Sequence, residues 1–381
     1  MPGSFPEALI LIHDSTNLGG AELHLLNILK TTQSLGIRNY LITPSKGSLF
    51  QQFEALVEGY CISPIPRPCK LKTAFTYYPF IKTCKQFIQS IEAKSSCILV
   101  GDLYPLWASI KLGKTSQTPV YSLWQGEYDF SSHECIQKWA RYGANNADKL
   151  IANTFIKQHI EANRLLHKEI LPLDPKVDTN TFSKENHNRE SLRKSFGWED
   201  RQVAVCVGRY GEGKGQPWLI DSFLKDRTLK KTWKLVIAGP ISEGDRNKLA
   251  SILNKENADQ PIEILGERAD IAEIYAASDL AVFPGTVQES FGLSMIEAAL
   301  MELPVIALKQ GALPYIFGDD YPGLIPKDER SSIITLIKTF DKSSQFTNSQ
   351  QTKNLKESIL GIFSNFELQL KTILGDSDQA T

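Results

Sequence analysis

Short apolar runs alternate with amphipathic helical patterns along most of this chain, and this alternation limits the possible folds more than any other feature of the sequence. Such runs are typical of strands buried on both faces, which occur in parallel sheets covered by helices. The sequence therefore predicts an α/β fold with two doubly wound domains. The predicted strands of the first half are Ala8–His13, Asn39–Thr43, Cys97–Val100, Val120–Trp124 and Lys149–Ala152. The alternation continues through Val203–Val207, Trp218–Phe223, Lys234–Ala238, Arg246–Asn254, Ile262–Ile264, Ile271–Ala276, Leu280–Phe283, Ser294–Met301 and Pro304–Ala307.

A polar, turn-rich stretch separates the two sets of strands. Such a composition is typical of the connection between two domains. We expect residues 1–178 to form a first Rossmann-like domain and residues 201–330 a second one, with 179–200 as the connection. Residues 331–381 are expected to form a C-terminal helical segment that packs back on the first domain.

Charge and composition exclude several classes of protein. The chain has 42 Lys and Arg against 43 Asp and Glu, so it lacks the basic excess with which proteins neutralise nucleic-acid phosphates. Its apolar runs are far shorter than the roughly 20 residues that span a bilayer. The six cysteines do not follow zinc-site spacing. Because the N-terminal residues also lack a signal-peptide pattern, we expect a cytoplasmic protein with reduced thiols and no nucleic-acid partner.

Ligands of doubly wound sheets bind beyond the carboxyl ends of the strands, and three of the turns in that position are unusual here. The first turn contains Gly19 and Gly20 in front of a predicted helix. Two glycines let the backbone approach a ligand closely, and a helix N-terminus offers free amides to an anion. A tight turn without any ligand explains the same two glycines equally well.

The second unusual turn, Gly208–Gly215, nearly matches the phosphate loop GxxxxGK[ST]. Gly215 stands where that loop needs its Mg²⁺-binding hydroxyl, so the phosphate-loop chemistry of nucleotide triphosphatases is disfavoured. Arg209 and Lys214 are still able to hold a diphosphate at the end of the strand. The alternative is a solvated basic turn.

The third unusual turn, Pro284–Leu293, carries Glu289 and leads into a helix that carries Glu297. On one helix these two carboxylates would be about 12 Å apart, whereas the carboxyl groups of glycosidases lie about 5–9.5 Å apart. We therefore expect Glu289 in the loop and Glu297 in the second turn of the helix, contacting one long ligand at different points. A solvent-facing Glu297 is the alternative, which the apolar residues around the helix disfavour.

Together these segments resemble the family 4 retaining glycosyltransferases of the GT-B fold. The stretch Glu289-Ser-Phe-Gly-Leu-Ser-Met-Ile-Glu297 looks like the signature of that family. Val207-Gly208-Arg209 with Lys214-Gly215 resembles its diphosphate grip, and Gly19-Gly20-Ala21-Glu22 resembles its N-terminal glycine-rich loop. The likeness runs from about residue 9 to about residue 325. It implies two Rossmann-like domains that face each other across a cleft.

The resemblance also implies a role for each matching residue. Arg209 and Lys214 would bind the leaving diphosphate of a nucleotide sugar, with Glu289 beside the donor sugar and Glu297 on the ribose hydroxyls. The implied donor-binding set is Gly19, Gly20, Gln125, Gly208, Ser290, Phe291, Gly292, Leu293 and Glu297. The family generally needs no bound metal, so the resemblance implies no cofactor and no metal site. Family members often carry a His-Gly pair where this chain has Gln125-Gly126, so a neutral amide replaces a side chain that can become positively charged.

One local feature bears on the acceptor, because the segment from Gly59 to Ile91 contains no Asp or Glu. Basic and aromatic side chains alternate there, which suits an anionic membrane surface. We expect peripheral membrane contact through residues 65–87, with a solvated loop and helix as the alternative. The residues concerned are Arg67, Lys70, Lys72, Lys82, Lys85, Phe75, Tyr77, Tyr78, Phe80 and Phe87.

The expected function is therefore that of a metal-independent, retaining glycosyltransferase of polysaccharide biosynthesis. It would transfer a sugar from a UDP- or GDP-sugar to an envelope glycan or glycolipid acceptor at the inner face of the membrane. Two alternatives stay open. One is a cytosolic glycosyltransferase acting on a small polar acceptor such as a sugar phosphate. The other is a nucleotide-sugar-binding GT-B protein without turnover.

Overall fold

The structure, a computed structural model of the chain, describes residues 5–66, 73–126, 134–162, 168–252, 261–340 and 349–375. The described residues up to Lys176 and from Phe363 onward form one compact unit, and those from Val177 to Ile362 form another. We call these the first and the second unit. The strands of each unit form one parallel sheet, which confirms the predicted fold class.

The strands and helices alternate along the chain as the sequence predicts. The strands are β1 Ala8–Ile12, β2 Arg38–Thr43, β3 Gly59–Ile62, β4 Ser96–Val100, β5 Val120–Trp124, β6 Lys149–Ala152, β7 Ile170–Pro172, β8 Gln202–Val207, β9 Trp233–Ala238, β10 Ile262–Gly266, β11 Leu280–Phe283, β12 Val305–Leu308 and β13 Leu324–Ile325. The helices are α1 Gly20–Ser34, α2 Phe50–Glu54, α3 Thr73–Gln89, α4 Leu103–Ser116, α5 Glu134–Asn146, α6 Thr154–Ala162, α7 Arg189–Phe196, α8 Gln216–Lys225, α9 Arg227–Thr232, α10 Glu243–Ile252, α11 Ile271–Ala277, α12 Leu293–Leu300, α13 Leu313–Phe317, α14 Ser332–Thr339, α15 Ser349–Ser364 and α16 Phe366–Gly375.

The sheet of the first unit is buried on both faces. Its seven strands lie in the order β3-β2-β1-β4-β5-β6-β7. Successive side chains of a strand point to opposite faces, and β1 shows the result. Ile10 belongs to a core shared with α3, α4 and α5, whereas Leu9 and Leu11 belong to a second core shared with α1 and α16. Two buried faces explain why the strand sequences are continuously apolar.

Helix α16, near the end of the chain, completes the second of these cores. Its Phe366 and Leu370 are buried against α1 and β1 residues of the same cluster. The Lys149 ammonium donates a hydrogen bond to the Ile373 carbonyl at 2.6 Å. The chain therefore returns to the first unit after building the second.

The sheet of the second unit has six strands in the order β10-β9-β8-β11-β12-β13. One hydrophobic cluster contains residues of α8, α9 and α14 together with strand residues. Helices α11 and α12 pack against β8, β11 and β12 and bury further side chains, among them Tyr275 and Met295. The two helices therefore cover β8, β11 and β12.

The segment 179–200, which the sequence analysis treats as the domain connection, lies within the second unit. Its helix α7 is fixed by an ion-pair network on the buried Asp279. Arg189 approaches that carboxylate at 2.7 Å and Arg193 at 3.0 Å. Asp279 also accepts a hydrogen bond from the Val203 amide at 2.9 Å. The polar composition of the segment thus reflects a charged contact with the unit rather than an exposed linker.

Three short strands, β3, β7 and β13, have no counterpart among the predicted strands. In β3, Tyr60 and Ile62 are 36% and 43% exposed, so this edge strand lacks the continuous apolar run of a central strand. β7 has only three residues and ends in Pro172, so it also lacks the continuous apolar run of a central strand. β13 has only two residues, Leu324 and Ile325, which is too short to produce a pattern.

Cys61, Cys84, Cys97 and Cys206 are free and buried, as expected. Cys69 lies outside the described residues. No helix in the described part of the chain is both long and apolar enough to span a bilayer.

Candidate functional site

The second unit has one point where neighbouring strands send their connections in opposite directions along the sheet. β8 lies between β9 and β11, so the chain leaving β8 turns toward β9 while the chain leaving β11 turns toward β12. Ligands of such sheets bind at this switch point, beyond the carboxyl ends of the strands. The segments that follow the two strands, 208–215 and 284–292, are called here the β8 loop and the β11 loop. They contain the predicted diphosphate grip and Glu289.

The β8 loop is held by the side chain of Gln216, the first residue of α8. This side chain is buried, and its Oε1 accepts a hydrogen bond from the Gly211 amide at 3.3 Å. Its Nε2 donates to the Arg209 carbonyl at 3.2 Å. Gln216 therefore fixes the backbone of the loop at Arg209 and at Gly211. The sequence analysis does not identify Gln216, although a glutamine directly after Lys214-Gly215 was a signal that could have been used.

The two predicted cations of the β8 loop lie in different surroundings. The Arg209 guanidinium is exposed and has no hydrogen bond or ion pair with any described residue. The Lys214 ammonium forms a short ion pair with the Glu289 carboxylate of the β11 loop. The Thr286 amide also donates to the Gly213 carbonyl at 2.9 Å. The Val287 amide donates to the same carbonyl at 3.2 Å, so one charged contact and two backbone hydrogen bonds join the two loops.

The β11 loop is supported from behind by the backbone after β12. The Ala312 amide donates to the Glu289 carbonyl at 2.9 Å. The Gln310 side chain donates to the Gly285 carbonyl at 2.5 Å. These contacts hold the Glu289 backbone in place, so its side chain, which is 13% exposed, directs its carboxylate to Lys214 from a fixed position.

Helix α12 begins where the β11 loop ends. Gly292 precedes its first residue with a φ of 75°, a left-handed conformation that favours glycine. The first amides that close the helix are those of Met295 and Ile296, which donate to the Gly292 carbonyl at 3.0 and 3.1 Å. The amides of Leu293 and Ser294 precede them, and amides in the first turn have no carbonyl of their own helix to bind. Together with the buried Phe291, they shape the end of the loop.

Glu297 lies in the second turn of α12, and Glu289 lies in the loop before it, as the sequence predicts. The Glu297 residue is only 9% exposed, and its carboxylate has no hydrogen bond with any described residue. Burial raises the pKa of this carboxyl to about 8. A buried carboxylate without a donor is unfavourable, so Glu297 is equipped to accept hydrogen bonds from a ligand.

The remaining predicted residues, Gly19, Gly20 and Gln125, belong to the first unit. Gly19 has an extended backbone in front of α1, and no side chain caps the free amides of that helix. Gln125 follows β5, and its Nε2 donates to the Gly101 carbonyl, directly after β4, at 2.8 Å. These residues follow strands near the switch point of the first sheet, where β1 and β4 are neighbours.

A buried contact between a histidine and a glutamate, which the sequence analysis does not predict, lies in the same part of the first unit. His13 Nε2 is 3.4 Å from Glu22 Oε1, and both side chains are almost fully buried. Burial opposes ionisation of Glu22, but the contact with His13 leaves its pKa below the ordinary value. The pair connects the end of β1 to the first turn of α1 and so fixes the two ends of the glycine-rich loop.

Comparison with known proteins adds to this geometry. The sequence profile of the family described as "Glycosyl transferases group 1" matches residues 201–340. The chain is 30% identical over 192 residues to the D-inositol 3-phosphate glycosyltransferase of Mycobacterium sp. (strain KMS), an alignment that covers 48% of this chain and 42% of that protein. It is 28% identical over 159 residues to the GDP-mannose-dependent alpha-(1-6)-phosphatidylinositol monomannoside mannosyltransferase of Mycolicibacterium smegmatis, which covers 40% of this chain and 42% of that protein. The matched part thus spans less than half the length of these relatives.

Solved structures resemble the chain along its whole length. The Anabaena protein Alr3699/HepE, crystallised with UDP and glucose, matches with a TM-score of 0.72 at 19% identity, covering 99% of this chain and all of that one. WaaG, described as a glycosyltransferase involved in lipopolysaccharide biosynthesis, matches with a TM-score of 0.69 at 16% identity and covers 97% of this chain. The comparisons confirm the resemblance to family 4 glycosyltransferases of the GT-B fold, which residues 201–340 carry in sequence and the chain carries in fold.

Proposed function

We propose that this chain is a metal-independent, retaining glycosyltransferase that uses a UDP- or GDP-sugar as donor. The observation that carries the proposal is the meeting of the β8 and β11 loops at the switch point, where Lys214 contacts Glu289. The buried Glu297 stands one helical turn further on, without a hydrogen-bonding partner among the described residues. This arrangement offers cations, free amides and an unpartnered carboxylate to a single elongated ligand.

The cations of the β8 loop account for the leaving group. Departure of a nucleotide diphosphate develops negative charge on its terminal phosphate, and fixed cations stabilise that charge as it forms. Arg209 is exposed and Lys214 is part-exposed, so both can reach a phosphate. Glu289 neutralises Lys214 through their ion pair. An incoming diphosphate would compete for that ammonium, which would leave the Glu289 carboxylate beside the donor sugar.

Glu297 accounts for the nucleoside end of the donor. Two ribose hydroxyls donating to its carboxylate would replace the hydrogen bonds that burial has removed. Because donors stabilise the charged form, binding of a ribose would lower the raised pKa of this carboxyl. The adjacent amides of Leu293 and Ser294 would face the diphosphate between the two ends.

Gly19, Gly20 and Gln125 are proposed to contribute to the donor site from the first unit. Gly20 is exposed at the first position of α1, where a side chain would restrict the approach of an anion. Gln125 would offer an amide in place of the usual histidine. No cofactor is proposed, and metal independence rests on the resemblance together with Gly215 in place of a Mg²⁺-binding hydroxyl.

For the acceptor, we propose an envelope glycan or a glycolipid, reached from the cytoplasm at the inner face of the membrane. Helix α3 supports this, because Phe75 and Tyr78 are 83% and 72% exposed and Lys82 lies on the same side. The other aromatic residues of the segment are used internally: Phe80 is buried, and Tyr77 stacks on Trp107 at 4.9 Å. Arg67, Lys70 and Lys72 lie outside the described residues.

A small phosphorylated acceptor is the second candidate, favoured by the relatives that are named D-inositol 3-phosphate glycosyltransferases. Sedimentation with vesicles that contain or lack anionic lipid distinguishes the two. An enzyme that acts on glycolipid acceptors should sediment with anionic vesicles. The double substitution Phe75→Ser and Tyr78→Ser should abolish this sedimentation. An enzyme of small acceptors should stay in the supernatant in both cases.

The activity itself is tested by screening UDP- and GDP-sugars by thermal shift, since a bound donor raises stability by mass action. The best donor is then followed for release of nucleotide diphosphate and for the anomeric configuration of the product. Release with retention supports the proposal. A donor that binds tightly but is never cleaved or transferred would instead support a nucleotide-sugar-binding protein without turnover.

A further inference from the structure

Arg330 lies behind the β8 loop, in a place that the family resemblance does not assign to any function. It precedes α14, and its guanidinium carbon is 4.3 Å from the centroid of the Trp218 ring in the first turn of α8. A Cβ atom placed on Gly215 would lie 2.5 Å from one terminal nitrogen of this guanidinium. Because Gly215 has no side chain, the Arg330 guanidinium can pack directly against it and support the β8 loop.

The guanidinium is not satisfied by its surroundings. Nε and one terminal nitrogen are buried, and neither has a hydrogen-bonding partner among the described residues. Burial lowers the pKa of Arg330, while the nearby Glu212 opposes that effect. Buried donors without acceptors are unfavourable, so these two nitrogens favour an acceptor that the described residues do not supply. A purely structural arginine would be expected to have its carboxylate in contact.

Arg330 lies in a part of the unit that carries several positive groups, with Glu212 as the nearby negative charge. Arg209 and Lys214 stand on the loop above it, and α8 begins at Gln216, so the positive end of that helix dipole points to the same place. Like charges that are held together repel, and an anion with more than one negative charge relieves the repulsion most effectively. Among these groups, Glu289 pairs with Lys214.

We propose that Arg330 is a positioning residue of the diphosphate site, which supports Gly215 and supplies a fixed positive charge beneath the β8 loop. The inference rests on the proposed function, because it takes the ligand of this loop to be a nucleoside diphosphate group. It predicts that Arg330 favours the second phosphate: affinity for a nucleoside diphosphate depends on it more than affinity for a monophosphate does.

The test is calorimetric titration of the full chain with UDP, GDP, UMP and GMP. Arg330→Met keeps an unbranched side chain beside Trp218 and removes the charge, whereas Arg330→Lys keeps the charge. The matched control is Arg227→Met, which removes an exposed arginine that follows α8 at its other end. Arg330→Met should weaken diphosphate binding about tenfold, the effect of losing one close charge, and weaken monophosphate binding less than about threefold. Arg330→Lys should stay within about threefold of wild type, and Arg227→Met should be unchanged.

Three results would overturn the inference: diphosphate affinity of Arg330→Met equal to wild type, equal losses for monophosphate and diphosphate, or Arg330→Lys as weak as Arg330→Met. Where Arg330→Met fails to fold, Arg330→Gln is titrated in its place under the same criteria. The proposed function fails separately, when the wild-type protein binds nucleotides but transfers no sugar. A wild-type protein that binds neither nucleotides nor pyrophosphate contradicts both.

Discussion

Glu297 couples the stability of the second unit to pH, and the direction of that coupling follows from its burial. Its pKa is raised from 4.5 to about 8 in the folded protein. At pH values between 4.5 and about 8, Glu297 holds a proton in the folded chain that the unfolded chain has released. The stability that this proton contributes is therefore complete at acidic pH and is lost as the pH rises through about 8.

The size of the effect follows from the same shift. Each pKa unit corresponds to about 1.4 kcal/mol. Between pH 6 and pH 8 Glu297 goes from fully to half protonated in the folded protein and is deprotonated in the unfolded chain, so wild-type stability should fall by about 2 kcal/mol from Glu297 alone. For a unit of this size that loss corresponds to a decrease of about 4–8 °C in Tm. Glu297→Gln removes the titrating group, so this share of the decrease should disappear.

Differential scanning calorimetry without ligand at pH 6, 7 and 8 measures the difference. The matched control is Glu267→Gln, an exposed glutamate of the same unit that should keep the wild-type pH dependence. If the Tm values of wild type and Glu297→Gln decrease in parallel, to within about 1 °C, the carboxyl of Glu297 is not a buried, unpartnered group. The argument that it awaits hydroxyl donors would then fail.

Two further predictions concern the chemistry of the site. Arg209→Ala or Lys214→Ala should lower turnover of the native donor by at least about a hundredfold, because each removes a preorganised group that stabilises the leaving diphosphate; near-wild-type steady-state kinetics in both variants would remove the β8 loop from the mechanism. Turnover should survive EDTA, since Gly215 cannot bind Mg²⁺ through a side chain and the described residues contain no group of three His, Cys, Asp or Glu side chains able to hold a metal ion. Complete loss in EDTA with recovery in Mg²⁺ or Mn²⁺ would require a metal-dependent mechanism instead.

Local sequence patterns were sufficient for the central strands and for the loops at their ends. β5 and β6 coincide with the predicted runs Val120–Trp124 and Lys149–Ala152, because a strand buried on both faces must be apolar throughout. The placement of Glu289 in a loop and Glu297 in a second helical turn was likewise predictable, since it depends only on where one helix begins.

Contacts that depend on the order of strands were not predictable in the same way. Lys214 and Glu289 meet because β8 and β11 are neighbours in the sheet, although two other strands separate them in sequence. The charged segment containing Arg189 was interpreted as a linker because its carboxylate partner, Asp279, is distant in the chain. Arg330 belongs to no motif, so only the fold reveals that it lies beneath Gly215.

The central claim is that the β8 and β11 loops hold one nucleotide-sugar donor with its nucleoside at Glu297 and its sugar at Glu289. The most direct test is calorimetric titration of Glu297→Gln and Glu289→Gln with UDP and GDP, alongside donor kinetics. Glu297→Gln should weaken nucleotide binding and mainly raise KM, because ribose contacts act alike in the ground and transition states.

Glu289→Gln should leave nucleotide binding unchanged or up to about threefold tighter, because it releases Lys214 from its ion pair. Glu289→Gln should also mainly lower kcat, since the wild-type carboxylate that it removes acts where charge develops on the sugar. Loss of nucleotide binding in Glu289→Gln, with normal binding in Glu297→Gln, would show that the donor lies in the opposite orientation and would contradict the account.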